Sequence, residues 1–211
     1  MILSRWPLAL SLIASLWPLQ CVNAEEPAIG TVAALQGTAL MRAAGSSADV
    51  SLATGSRLSE GAAVTTGPDS RLKIALRDGS DLTLGATTTI KLDHLNVGAG
   101  GRSESVFSQV DGYLRAVIAK VSPGTRLEVR TPSMVAAVRG TEWIQNYSAG
   151  VTQIFVVKGR VRASGTGHYA ANHVTLAAGE GVSFSDHARH TPVVRWKQPK
   201  IDLFTAATSL R

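Results

Sequence analysis

Beyond residue 25, apolar and polar positions alternate with a period of two along most of the chain. In RLKIALR, Leu72, Ile74 and Leu76 fall on one face and Arg71, Lys73 and Arg77 on the other, which is the pattern of a half-buried strand. RLEVR repeats it with Leu127 and Val129, KGRVRAS with Val161 and Ala163, and TIKLD with Ile90 and Leu92. Before the C-terminal tail, no run of about ten residues has helical periodicity. The pattern predicts an all-β fold. Its short strands would be arranged as a solenoid-like β-roll or as stacked antiparallel sheets, followed by an irregular tail with a short helix at 200–210.

Glycine punctuates the strands, with 20 in 211 residues. RDGSDLTLG sets a register test. A two-residue loop at Asp78-Gly79 would put Leu82 and Leu84 on the face opposite Ile74 and Leu76. A three-residue loop, Arg77-Asp78-Gly79, pairs Ile74 with Leu82 and Leu72 with Leu84, and sets Gly79 at the position that needs a left-handed backbone. The three-residue loop, or an equivalent corner between rungs, is expected. LQGTALM (35–41), VDGYLRAVI (110–118) and VKGRVRA (157–163) share another unit: an apolar residue, a polar residue, glycine, then alternation. Their uneven spacing excludes a regular short-period solenoid. NVGAGGRSES (96–105) is the most linker-like stretch, but composition is alike on its two sides, so one β domain over 25–190 with a tail at 191–211 is expected.

The first 24 residues differ in kind. Arg5 precedes an apolar run from Trp6 to Leu19, and Val22 and Ala24 occupy the small-residue positions of a cleavage site. This is the layout of a secretory signal peptide, 1–24, and the run is too short to span a bilayer. Gln20 and Pro18 do not suit a lipoprotein cysteine at Cys21, so the mature chain would begin at Glu25, without cysteine and without a disulfide framework. No second apolar run is long enough for a transmembrane span. A periplasmic or extracellular location follows.

The chain carries 21 basic and 15 acidic residues, a net +6 spread in singles and pairs. That is compatible with an anionic envelope polymer as partner. Nucleic acid is not expected, because there is no basic-aromatic platform. The search for chemistry is empty. His187 and His190 in HARH have a metal-compatible spacing, but apart from Asp186 no acidic or cysteine partner sits close by. GSSAD and GSDLTLG do not make a nucleophile elbow. Asp78 and Asp81 flank a turn, where short acids bond their own backbone. GAGG (98–101) lacks the lysine and helix of a phosphate loop. RWK, with Arg195, Trp196 and Lys197, is a candidate partner contact, against the plainer reading of a tryptophan packed on the domain. No catalytic residue, cofactor or metal is assigned.

The segment 124–184 reads GTRLEVRTP, SMVAAVRGTEWIQ, TQIFVVKGRVRAS and VTLAAGEGVSF. In order and spacing it resembles the FecR-like domain, the periplasmic module of iron-dicitrate-type sensor regulators. GTVAALQGTALMR and the strands to Leu92 are similar too, so the resemblance covers roughly 29–185. It implies an all-β domain that binds and signals rather than catalyses. In the membrane sensors the domain follows a cytoplasmic segment and one transmembrane helix; here a signal peptide takes that place, so relay to a sigma factor and an iron-dicitrate role do not carry over directly. Thr131, Pro132, Arg139, Gly140, Thr141, Gly159 and Gly179 fall on the pattern.

Those residues also have a physical reading. Pro132 suits a corner or strand edge, and Thr131 can close a turn through its hydroxyl. Ala136, Ala137 and Gly140 let backbones approach. The planar fork of Arg139 would clamp nearby carbonyls, Glu142 or Glu128, or contact an anionic ligand. The function expected is a non-catalytic exported module that binds an envelope ligand or protein partner in envelope sensing. The alternatives are a regulatory subunit of a surface-signalling system acting through a membrane partner, and a protein that binds or acts on wall polysaccharide.

Overall fold

Each period-two stretch named above forms a strand. A computed structural model describes residues 28–98, 102–118, 125–186 and 190–210. The expected signal peptide, Cys21, most of GAGG and His187 lie outside the described residues. In chain order the strands are β1 (Gly30–Gln36), β2 (Ala39–Arg42), β3 (Asp49–Ser51), β4 (Arg57–Leu58), β5 (Ala63–Thr66), β6 (Arg71–Leu76), β7 (Asp81–Leu84), β8 (Thr89–Val97) and β9 (Ser103–Val117). There follow β10 (Arg126–Arg130), β11 (Met134–Val138), β12 (Glu142–Ser148), β13 (Val151–Lys158), β14 (Arg160–Gly165), β15 (His173–Ala177), β16 (Glu180–Ser185), β17 (Val194–Arg195) and the helix α1 (Gln198–Ala207). No helix among the described residues is long and apolar enough to cross a membrane.

The strands make two sheets. Sheet I runs β4-β1-β6-β7-β9-β12-β13-β16-β17. Sheet II runs β3-β2-β5-β8-β9-β10-β11-β14-β15. Every pairing is antiparallel except β9 with β10. Of the architectures expected, the stacked antiparallel sheets are therefore the ones formed; parallel stacking of rungs is confined to that one junction. β9 belongs to both sheets. Up to Asp111 it pairs with β8 in sheet II, and from Gly112 onward it pairs with β12 and β7 in sheet I. β8 and β9 pair with each other on either side of the linker-like 96–105 stretch, Val97 opposite Ser103.

Alternation decides which side of each sheet faces the other. β6 buries Leu72, Ile74 and Leu76 while Arg71, Lys73 and Ala75 are only half-buried; β10 buries Leu127 and Val129; β14 buries Val161 and Ala163. The inward residues meet in one cluster that includes Phe107, Leu114, Trp143, Val156 and Leu176. The β6–β7 hairpin has the expected register, Leu72 opposite Leu84 and Ile74 opposite Leu82. Its loop closes with the Leu76 N–H donating to the Ser80 carbonyl at 2.8 Å, and Gly79 has φ +80°. Asp78 accepts from the Ser80 N–H at 2.9 Å and from the Ser103 hydroxyl at 2.9 Å.

The three glycine units found in the sequence are among the points where the chain passes between sheets. Gly37 lies between β1 and β2, Gly112 bends β9, and Gly159 lies between β13 and β14. Their φ values are +81°, +87° and +88°, a region that favours glycine. A hydroxyl stands against each: an added Cβ would come within 2.4 Å of Ser70 Oγ, 2.3 Å of Thr88 Oγ1 and 3.0 Å of Thr141 Oγ1 respectively. Each hydroxyl bonds the backbone of the next residue. The Thr38 N–H donates to Ser70 at 2.9 Å, the Tyr113 N–H to Thr88 at 3.0 Å, and Thr141 donates to the Arg160 carbonyl at 2.8 Å.

Candidate functional site

The outer face of the C-terminal half of sheet II is a charged trough. Because Leu127, Val129, Val138 and Val161 face the core, their sequence neighbours must face outward. Arg126, Glu128 and Arg130 line one side from β10, and Arg160 and Arg162 the other from β14. Between them β11 presents Val135 and Ala137, with the edge of Val138 at its end. The register places Ala137 between Glu128 and Arg162, and Val135 between Arg130 and Ser164. Small floor residues beneath long flanking side chains leave an open hollow of about 970 Å³. Thr166, Gly167 and Ala170 bound its far end.

Arg139 stands at the near end. One residue past Val138, which pairs with Leu127 and Val161, the chain leaves β11 where Arg126 and Arg160 flank it. Five arginines and one carboxylate thus line the trough. Glu128 is engaged by Arg126 and, at 2.9 Å, by Arg130. Among the described residues no carboxylate pairs with Arg139, Arg160 or Arg162, and all three are exposed. The clamp expected of Arg139 through Glu142 or Glu128 is not formed. Glu142 accepts instead from Arg115 Nε at 2.9 Å, across the β9–β12 pairing, and Glu128 belongs to β10's own arginines.

The other expected motif residues sit around the trough's ends and corners. Thr131 closes the β10–β11 turn: its hydroxyl accepts from the Met134 N–H at 2.9 Å and lies 2.6 Å from that of Thr152, which also bonds Ser133 at 2.7 Å. The Pro132 carbonyl accepts from Thr166. Gly140 has φ +62°, and Thr141 with Gly159 forms one of the sheet-crossing corners. Gly179, φ +85°, crosses from β15 to β16 and donates to the Val156 carbonyl at 2.9 Å. The motif is therefore the frame of the trough, and Arg139 is its member inside.

Arg195, Trp196 and Lys197 are on the other sheet. Trp196 is half-buried, stacked 5.1 Å from Phe155 and edge-on to Phe204 at 4.7 Å, as the packed reading required; Arg195 and Lys197 are exposed. Lys200 sits 3.8 Å over the Trp196 ring, and burial holds its ammonium below its ordinary range. His190 bonds the Thr191 carbonyl at 2.7 Å. Among the described residues no three His, Cys, Asp or Glu side chains gather as a metal site would need. A second hollow, of about 580 Å³, mixes Glu60, Asp93, His94 and Arg77, so acidic and basic side chains alternate there rather than forming a cationic lining.

Sequence reading missed Arg126, Arg130, Arg160 and Arg162. The signal was present: RLEVR and KGRVRAS carry arginine at alternate, outward positions. What the sequence lacks is that β10 and β14, separated by about thirty residues, flank one bare strand.

Residues 62–162 match the family described as "FecR protein". No curated protein matches the chain. Two solved structures described as a "putative anti-sigma factor" from Parabacteroides distasonis, at 1.65 and 2.50 Å resolution, have a similar fold, with TM-scores of 0.55 and 0.54. Each is 13% identical, over 66% of this chain and 62% of the other, so this chain spans under two thirds of their length and the likeness is one of fold. With the trough walls and the VRGT corner inside the matched residues, the chain carries a FecR-like domain.

Proposed function

We propose that the protein is a non-catalytic binding module of envelope signalling, exported by residues 1–24 and working in the periplasm or outside the cell. The observation that carries this reading is the arginine-lined trough, held on strands that are hydrogen-bonded on both sides. It presents charged donors without a base, since its one carboxylate is held between Arg126 and Arg130. Such a surface recognises an anion and leaves it chemically unchanged. The family match and the anti-sigma-factor description of the structural neighbours support a regulatory role through a protein partner. The alternative, a subunit of a surface-signalling system acting through a membrane protein, draws on the same likeness.

Crosslinking the 25–211 chain in its native envelope is expected to enrich a defined component over a β-domain control, and deleting the gene to change transcription of an envelope or uptake regulon. Failure to enrich anything, with an unchanged transcriptome, would overturn the proposal.

A further inference from the structure

We propose that the trough along β11 binds a linear anionic polysaccharide through its repeated acidic groups; this rests on reading the protein as a binding module and names the ligand class. Arg139, Arg160 and Arg162 are exposed and lack a carboxylate partner among the described residues. Guanidinium forks match carboxylate, sulfate and phosphate oxygens two at a time. The cations line both sides of a floor made of Val135 and Ala137, and flanking strands stand about 5 Å from it. From Arg139 to Val135 the trough extends about 13 Å along the strand, at roughly 3.3 Å per residue. A chain with an acidic group on each unit, lying along β11, would meet a cation on one side or the other as it advances.

Other polymers fit less well. β10, β11 and β14 are each hydrogen-bonded on both sides, so an acidic peptide finds no free ladder to extend. No aromatic side chain lines the trough, so nucleobases would have nothing to stack on. Its short apolar floor is too small and too open to hold an acyl chain. What remains is charge recognition of an extended, hydrophilic polyanion, with Ser164 and Thr175 lining the trough as hydrogen-bonding groups for its hydroxyls.

The test is calorimetric titration of the 25–211 chain with polygalacturonate and with a sulfated dextran, which separate carboxylate from sulfate recognition. Neutral dextran, poly-L-glutamate and single-stranded DNA are the comparison polymers. At least one anionic glycan should bind, more tightly than poly-L-glutamate or DNA, while neutral dextran does not. The triple variant R139Q/R160Q/R162Q should weaken that binding about tenfold or more, with unchanged circular dichroism and melting temperature. R42Q/K91Q, which removes cations from the N-terminal half of sheet II, should bind as the parent does. Equal loss in both variants would reduce the effect to net charge and overturn the site. Tighter binding of poly-L-glutamate or DNA would overturn the ligand class. If no glycan binds yet envelope crosslinking captures a protein, the polysaccharide inference fails while the binding-module reading stands; if neither occurs, both fail.

Discussion

At the residue scale, the motif residues between Thr131 and Thr141 have different duties. Arg139 is exposed, with no carboxylate partner among the described residues, so Arg139→Ala should change stability by less than about 0.5 kcal/mol. A thermal melt checks this, and a large drop would restore the clamp reading. Thr131 is the opposite case. It is buried, accepts from the Met134 N–H and lies 2.6 Å from the Thr152 hydroxyl. Thr131→Val takes this acceptor from the Met134 N–H and leaves the Thr152 hydroxyl with Ser133 alone in a buried site, at a cost of about 2 kcal/mol. Thr131→Ser keeps the hydroxyl and should recover most of that loss in chemical denaturation. The buried Gln145 amide is satisfied in the same way: it donates to Gln109 at 2.7 Å and accepts from Trp143 Nε1 at 2.8 Å.

At the element scale, the glycine corners decide how strands are shared between sheets. Gly112 is the most tightly confined of the three, where β9 leaves sheet II and enters sheet I without a break in the strand. Its φ of +87° and the Thr88 atoms 2.3–2.8 Å from an added Cβ leave no room for alanine. Gly112→Ala should cost about 3 kcal/mol through backbone strain and overpacking together. Gly45, also at positive φ but with open space around it, should lose only the strain contribution on the same change. Equal losses at both positions in denaturant titrations would refute the steric account. Much of this scale was legible in the sequence. The Asp78-Gly79 hairpin followed from face matching, because a one-residue slip would have exposed Leu82 and Leu84. The glycine units at 37, 112 and 159 were visible as a pattern. Their meaning was not, because the hydroxyls that complete them, Ser70, Thr88 and Thr141, come from elsewhere along the chain. The trough was hidden for the same reason: alternation tells which residues face outward, and long-range pairing tells which outward residues are neighbours.

At the scale of the whole molecule, the two sheets are not covered alike. The outer face of sheet II is open and cationic in its C-terminal half, whereas that of sheet I carries apolar residues under the tail. Ile144 pairs with Phe155 in the β12–β13 ladder and lies opposite Arg115, so both face away from the central core, yet Ile144 is fully buried and Phe155 4% exposed. The cover is α1 with the segment before it. Trp196 stacks on Phe155, and Phe204 meets Tyr113 edge-on at 5.2 Å. Gly181 beneath the indole and Gly85 beneath the helix end leave the space these groups fill, since a Cβ would stand 2.2 Å from Trp196 Nε1 or 2.8 Å from the Ala207 carbonyl. The short β17 pairing with β16 aims the tail across the sheet. Removing residues 191–211 should then uncover an apolar patch on a folded sandwich, lowering the melting temperature and raising binding of a hydrophobic dye. Phe204→Ala should reproduce part of this, at about 3 kcal/mol, because its ring is 1% exposed and leaves a hollow that the helix backbone cannot close. Since the trough lies on the other sheet, either change should leave polyanion binding intact at temperatures where the fold persists. Loss of that binding in a still-folded Phe204→Ala variant would show that the two faces are coupled through the core, and would contradict the division of roles between them.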